Sequence, residues 1–277
     1  TTEIYTLSLH DALPIYYLNE AGIMLTGWQT IDDVQYYFNG SGEKMTSRWI
    51  GDKYVLSDGK LAKNQWIGDC YVDKNGLWVS SLHAYEWKTV DGKKKYYSNK
   101  TNSFVTNELK QIDGSYYYFD SEGSVATGFT TIDQNTYYFD VNGKMVTGWI
   151  QIGGTYYYFN ASGIMKTSSW IGDYYLNDEG KMLVNAFTPD GYYVNGNGVY
   201  LRNQWFNNNG NYYFVNAYGK VLKNVWVGAY YLGSDGAMYT NAFTPDEYYV
   251  GSDGAYYTNR WVLNDGKYYY TNGIGSW

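Results

Sequence analysis

Few side chains in this sequence could act as acid, base or nucleophile, and many could bind a ligand by their faces. The 277 residues hold two histidines, His10 and His83, and one cysteine, Cys70. His83 lies in SSLHAYEW, and Cys70 lies in IGDCYV, where a parallel string, IGDYYL, has Tyr174. Without a base beside it, Cys70 reads as the filler of a ring position and His83 as a surface or turn histidine. The carboxylates Asp32, Asp33, Asp113, Asp133 and Asp173 recur at turn strings, which Asp favours. A glycosidase needs one dedicated carboxylate pair, so a series of this kind is structural. The strings SDG and NDEG lack the loop spacing of a calcium-binding hand, and neither a metal nor a cofactor is expected. Against these stand 11 Trp and 36 Tyr. Rings in shallow grooves stack on sugars and hold quaternary ammonium groups by cation–π attraction. Repeated along a chain, weak sites gain avidity on a polymer. The expectation is a non-catalytic, multivalent binder, although a longer parent protein could carry an enzyme.

The elements that position these rings follow from self-similarity. TGWQTIDDVQYYFNGSGEKMTSRW (Thr26 to Trp49) and TGWIQIGGTYYYFNASGIMKTSSW (Thr147 to Trp170) share one order. Each has an aromatic anchor, a short strand, a turn, YYF or YYL, a polar turn ending in Gly, an apolar residue and the next anchor. The anchors are Trp28, Trp49, Trp66, Trp87, Leu109, Phe129, Trp149, Trp170, Phe187, Trp205, Trp226, Phe243 and Trp261. From Trp149 to Trp205 and again to Trp261 the spacing repeats as a 56-residue unit of three anchors. Asp113-Gly114 and Gly153-Gly154 supply positive φ for tight hairpin turns between runs of β-formers. A lone hairpin is marginal in water, so neighbours must stack. The predicted fold is all-β: an elongated solenoid of tandem β-hairpins over residues 16–277, with a ladder of rings as its core.

Composition excludes other classes. The formal charge is -7, or -5 once Glu3 and Asp11 are set aside (20 basic against 25 acidic residues). A mildly acidic chain whose one basic run is Lys93 to Lys95 is a poor nucleic-acid binder. No apolar stretch is long enough to span a membrane, so no membrane insertion is expected. A single cysteine excludes an internal disulfide.

The recurring anchor, YYF, Gly and apolar positions resemble the cell-wall-binding or choline-binding repeats of Gram-positive surface proteins, and the related glucan-binding and clostridial-toxin-like repeats. The resemblance covers Tyr16 to Trp277 and is weakest over Leu77 to Leu109. It implies hairpins wound at about three per superhelical turn, which the three-anchor unit fits. It also implies a secreted or cell-surface, cell-wall-associated protein. The implied partners are bacterial cell-wall polysaccharide, teichoic acid or glucan. The alternatives it leaves are the targeting tail of a cell-wall hydrolase (amidase or lysozyme type) or glucan-synthesising enzyme, and a host-glycan adhesion or spacer rod. In the choline-binding branch the pocket uses the anchor Trp, an aromatic just before YY in the same hairpin, and the first Tyr of the next YY. Trp149, Tyr156 and Tyr174 are the one complete triple by that pattern, so choline is expected there alone. Elsewhere the slot before YY holds Gln35, Lys95, Thr136, Asp173 or Asn211, which favours the glucan-binding branch. Weaker ligand-binding candidates are Trp28, Trp49, Trp170, Trp205, Trp226, Trp261, Tyr116 and Tyr137.

The opening TTEIYTLSLHDALPI stands apart from this pattern. It has no Lys or Arg and no long apolar run, so it is not a secretory signal. Codon for codon it resembles a translated sequencing adapter, and residues 1–15 are read as a non-native segment. Tyr16 then begins in the second half of a hairpin without its anchor, as in an N-terminally truncated repeat array. The segment is expected to pack against little and to join no sheet.

Overall fold

The computed structural model describes Ile4–Tyr5 and residues 16–276. Among the described residues there is no helix, and short antiparallel strands pair as successive two- or three-stranded sheets. The chain forms two compact units, one ending at Ala126 and the other beginning at Thr127.

Turn chemistry sets each hairpin. Asp113-Gly114 has φ of 49° and 77°, and Gly153-Gly154 has 56° and 83°. Paired positive values twist the turn to match its strands, joining Glu108–Ile112 to Ser115–Phe119 and Gly148–Ile152 to Thr155–Phe159. Register then assigns faces. Trp149 lies opposite Tyr158 and Trp205 opposite Phe214, with centroids 5.3 and 5.4 Å apart, edge to face. Such a pair contributes about 0.5–1.5 kcal/mol beyond its buried area. The next residue alternates to the other face, where Phe159 is fully buried.

The expected ladder of rings is only partly aromatic. Phe38 and Phe119 in the first unit, and Phe139 and Phe159 in the second, fill this buried position. In hairpins with strands of two or three residues it holds Val55, Val72, Leu176, Val194, Leu232 or Val250. Branched aliphatic chains fill a pleated slot as well as a ring does.

Trailing linkers tie each hairpin to its predecessor. The N–H of Met165 donates to the carbonyl of Thr136 at 2.8 Å, that of Met182 to Tyr156 at 2.9 Å, and that of Met238 to Tyr212 at 2.8 Å. Before each linker a polar residue shapes the turn: Asn160 Oδ1 accepts the N–H groups of Ser162 and Ile164. Gly198 leaves the space that Met182 fills, since a Cβ there would lie 2.7 Å from its Cε.

The weak stretch at 77–109 departs from plain hairpins. Trp78–His83 adds a third strand beside Cys70–Val72, and Ser103–Phe104 adds one beside Lys93–Ser98. At the start, Ile4 pairs with Tyr17 and Tyr5 with Tyr16, which overturns the expectation that the opening segment joins no sheet. Among the described residues Ile4–Tyr5 stands beside Tyr16–Tyr17 as a first strand does in the later hairpins, covering an edge that would otherwise be open. The rest of residues 1–15 lies outside the described residues.

Candidate aromatic clefts

Cys70 does have a histidine opposite, since His83 is its register partner across the ladder. No hydrogen bond joins the two among the described residues, and His83 is exposed. Among the described residues no three His, Cys, Asp or Glu side chains cluster as metal ligands. The turn carboxylates do structural work: Asp32, Asp33, Asp113 and Asp133 take positive φ at hairpin turns.

The rings gather into clefts in the second unit. Trp149 rises from Gly148–Ile152 and Tyr156 from the partner strand, while the next hairpin supplies Tyr174. The Trp149 and Tyr174 centroids are 5.4 Å apart at 71°. With Gly154, Met182, Val184, Gly196 and Asn197 they line a cleft of about 560 Å³. Trp149 and Tyr156 stay 38% and 41% exposed, so their faces meet water.

This triple is not the only complete one. Trp205, Tyr212 and Tyr230 make a second cleft of about 690 Å³ with Gly210, Met238, Thr240, Ser252 and Asp253. Every lining position is 56 residues beyond its counterpart in the first. The Trp205–Tyr230 distance, 5.4 Å at 76°, repeats as well. Counting letters takes Tyr212-Tyr213 as the YY pair and puts Asn211 before it. The register instead pairs Tyr212 with Asn207 as Tyr156 pairs with Gln151, so Tyr212 holds the slot before YY. The 56-residue spacing was the signal that could have found it. The wall changes from Val184, Gly196 and Asn197 to Thr240, Ser252 and Asp253, adding hydroxyls and a carboxylate.

Trp170 and Trp226 belong to a different cleft type, in which a tyrosine takes the place of Met182. Trp170 meets Tyr192 and Tyr200 at 5.2 and 5.5 Å, and Trp226 meets Tyr248 and Tyr256 at 5.4 and 5.7 Å. Each indole N–H donates to a carboxylate from a TPD turn, Trp170 to Asp190 at 3.0 Å and Trp226 to Asp246 at 2.8 Å. Partial burial raises both carboxyls, but hydrogen bonds from Thr188 and Trp170, and from Thr244 and Trp226, outweigh it and hold both below the ordinary carboxylate value.

Other candidates are less enclosed. Trp261 pairs with Tyr270 and is 67% exposed; with Tyr268 it repeats two of the three rings. Trp49 packs on Tyr54, and Tyr137 stacks on Phe139. Tyr116 is exposed opposite Gln111. The face of Trp28 is covered by the Lys53 ammonium, 5.0 Å from its centroid.

Comparison with known proteins agrees with this architecture. A choline-binding repeat model matches residues 44–78, 164–200 and 220–256, a second choline-binding repeat model matches 126–170, and a cell wall binding repeat model matches 26–44 and 107–125. Glucosyltransferase-S of Streptococcus mutans is 31% identical over 140 residues, 41% of this chain and 10% of that protein. Glucosyltransferase-I of Streptococcus downei is 26% identical over 144 residues, 40% of this chain and 9% of that protein. The similarity therefore spans about a tenth of those relatives' length. Choline binding protein F of Streptococcus pneumoniae, solved in the presence of a peptidoglycan analogue, aligns with a TM-score of 0.48 at 21% identity, over 82% of this chain and 96% of that one.

Proposed function

The chain belongs to the choline-binding and cell wall binding repeat family, and on that premise we propose that it is a non-catalytic module binding a cell-wall polysaccharide or glucan at several clefts. The observation that carries this reading is the duplicated cleft: Trp149, Tyr156 and Tyr174 recur as Trp205, Tyr212 and Tyr230 with every other lining position. Two like sites serve a ligand that is itself a repeat. The mechanism is stacking of sugar faces on half-exposed rings, with hydrogen bonds from Asn197 in one cleft and Thr240, Ser252 and Asp253 in the other. Each site is weak, and engaging both gives avidity. Glucan is favoured over choline as the principal ligand because the matched relatives are glucosyltransferases. The same match supports a role as the targeting part of a glucan-synthesising enzyme, acting at the cell surface or in secretion.

The test is co-sedimentation with insoluble α-glucan and with cell-wall sacculi. Trp149→Ala and Trp205→Ala each weaken retention, and the double variant abolishes it while the circular dichroism spectrum is kept. Added choline has little effect on retention. Full retention of the double variant overturns the reading.

A further inference from the structure

The two TPD cages share one frame and differ in what fills it. In the first, the chain supplies its own cations. The Lys220 ammonium stands 3.7 Å from the Tyr192 centroid, donates to the backbone carbonyl of Asp190 and lies 3.9 Å from its carboxylate. The Arg202 guanidinium covers Tyr200 at 4.3 Å and reaches Asp173 at 3.5 Å. One period later the backbone is the same, since Tyr248 pairs with Ser276 as Tyr192 pairs with Lys220. The cations are gone: Ser276 stands for Lys220 and Thr258 for Arg202, while Ala229 replaces Asp173 and Glu247 replaces Gly191. The second cage has thus lost two positive charges and one negative, and gained a negative one. Among the described residues no Lys or Arg lies over Trp226, Tyr248 or Tyr256; Arg260 covers Tyr257 instead. The cleft is about 280 Å³, lined by Trp226, Gly228, Asp246, Tyr248, Tyr256 and Ile274.

We propose that the Trp226 cage binds an external primary alkylammonium of the lysine side-chain type, in the place that Lys220 fills in the Trp170 cage. Ring faces attract any cation. Here a carboxylate and a backbone carbonyl also stand where N–H donors are needed, as Asp190 shows with Lys220. A quaternary ammonium has no N–H to offer them and gains the ring attraction alone. The cage shares no lining residue with the Trp149 or Trp205 clefts, so the inference stands apart from polymer binding there.

The experiment titrates the whole chain with N-α-acetyl-lysine methylamide, n-butylammonium and tetramethylammonium, following the indole N–H resonances of Trp226 and Trp170. The native chain is expected to show one saturable site for both primary amines, at Trp226, with n-butylammonium sufficient if the side chain alone is read. Ser276→Lys copies the internal cation and removes the site; Lys220→Ser combined with Arg202→Thr frees the Trp170 cage and adds a second. Asp246→Asn weakens the primary amines about tenfold, the scale of one hydrogen bond to a charged group, and changes tetramethylammonium little. Tetramethylammonium binding as tightly as the amines, no shift at Trp226, or an unchanged site in Ser276→Lys overturns the proposal.

Discussion

The two units use one hairpin grammar and treat their anchor rings in opposite ways. In the second unit Tyr174 and Tyr230, the first residues of short second strands, stand beside Trp149 and Trp205 as cleft walls. In the first unit the same register position opens Lys53–Val55 and Cys70–Val72. Lys53 lies over Trp28, and Cys70 gives the preceding anchor, Trp49, no second ring. Trp87 does meet another ring, Tyr117 at 5.0 Å, but the Lys94 ammonium covers it at 4.1 Å. The residue that opens the next second strand therefore supplies or withholds a wall ring, and a lysine elsewhere, such as Lys94 on Trp87, can still cover the anchor. The two-stranded hairpin, meanwhile, is common to both, with third strands added in the first unit.

If the units share their core and differ only in their clefts, the largest effect should be indifferent to unit. Phe38 and Phe159 occupy the same buried position at 1% and 0% exposure. Phe38→Ala and Phe159→Ala should each destabilise their own unit by about 3–5 kcal/mol, read by thermal or denaturant unfolding. A mild effect in one unit alone would break the comparison. Tyr174→Lys should come next. It copies Lys53 into the open cleft and should weaken glycan retention several-fold, with a stability change within about 1 kcal/mol. The converse, Lys53→Tyr, should add a weak site beside Trp28 and raise retention slightly. Its failure to do so would show that a wall ring is not enough.

The hairpins, their turns and the 56-residue unit were legible because each is written within about 20 residues, in anchors, Asp-Gly and Gly-Gly turns, and alternation. The Trp149 triple was legible for the same reason. Tyr212 was not, because NYYFV looks like a YY string displaced by one letter, and its register is plain once the ladder fixed from Asn209-Gly210 is seen. The internal cations were missed for a different reason. Lys53 over Trp28 and Lys220 over Tyr192 join residues about a hairpin or more apart, and such contacts depend on how neighbours stack. Cys70 was identified as the filler of a ring position, and the third strand that sets His83 opposite it was not, because SSLHAYEW has no hairpin signal of its own. The pairing of Ile4–Tyr5 follows from an open edge, a property of the strand it meets rather than of its own sequence.

The smallest expected effect concerns the TPD turns of the second unit. Burial alone would raise the Asp190 carboxyl, but the hydrogen bonds from Thr188 and Trp170, with the Lys220 charge, keep it lowered in the folded chain. A lowered folded value means the ionised form is favoured by folding, so its contribution is complete above the ordinary carboxylate pKa of about 3.9 and fades as pH falls through the folded value. The same sign holds for Asp246, whose partners are Thr244 and Trp226 without a lysine. Melting of the native chain and of Asp190→Asn should therefore differ modestly at neutral pH and converge under acid, because the side chain is exposed and solvent screens it. Asp246→Asn should show a smaller gap at neutral pH, lacking the lysine contribution. Equal gaps for the two would mean that Lys220 adds nothing to its cage, and the Trp170 site would then differ from the Trp226 site in occupancy but not in energy.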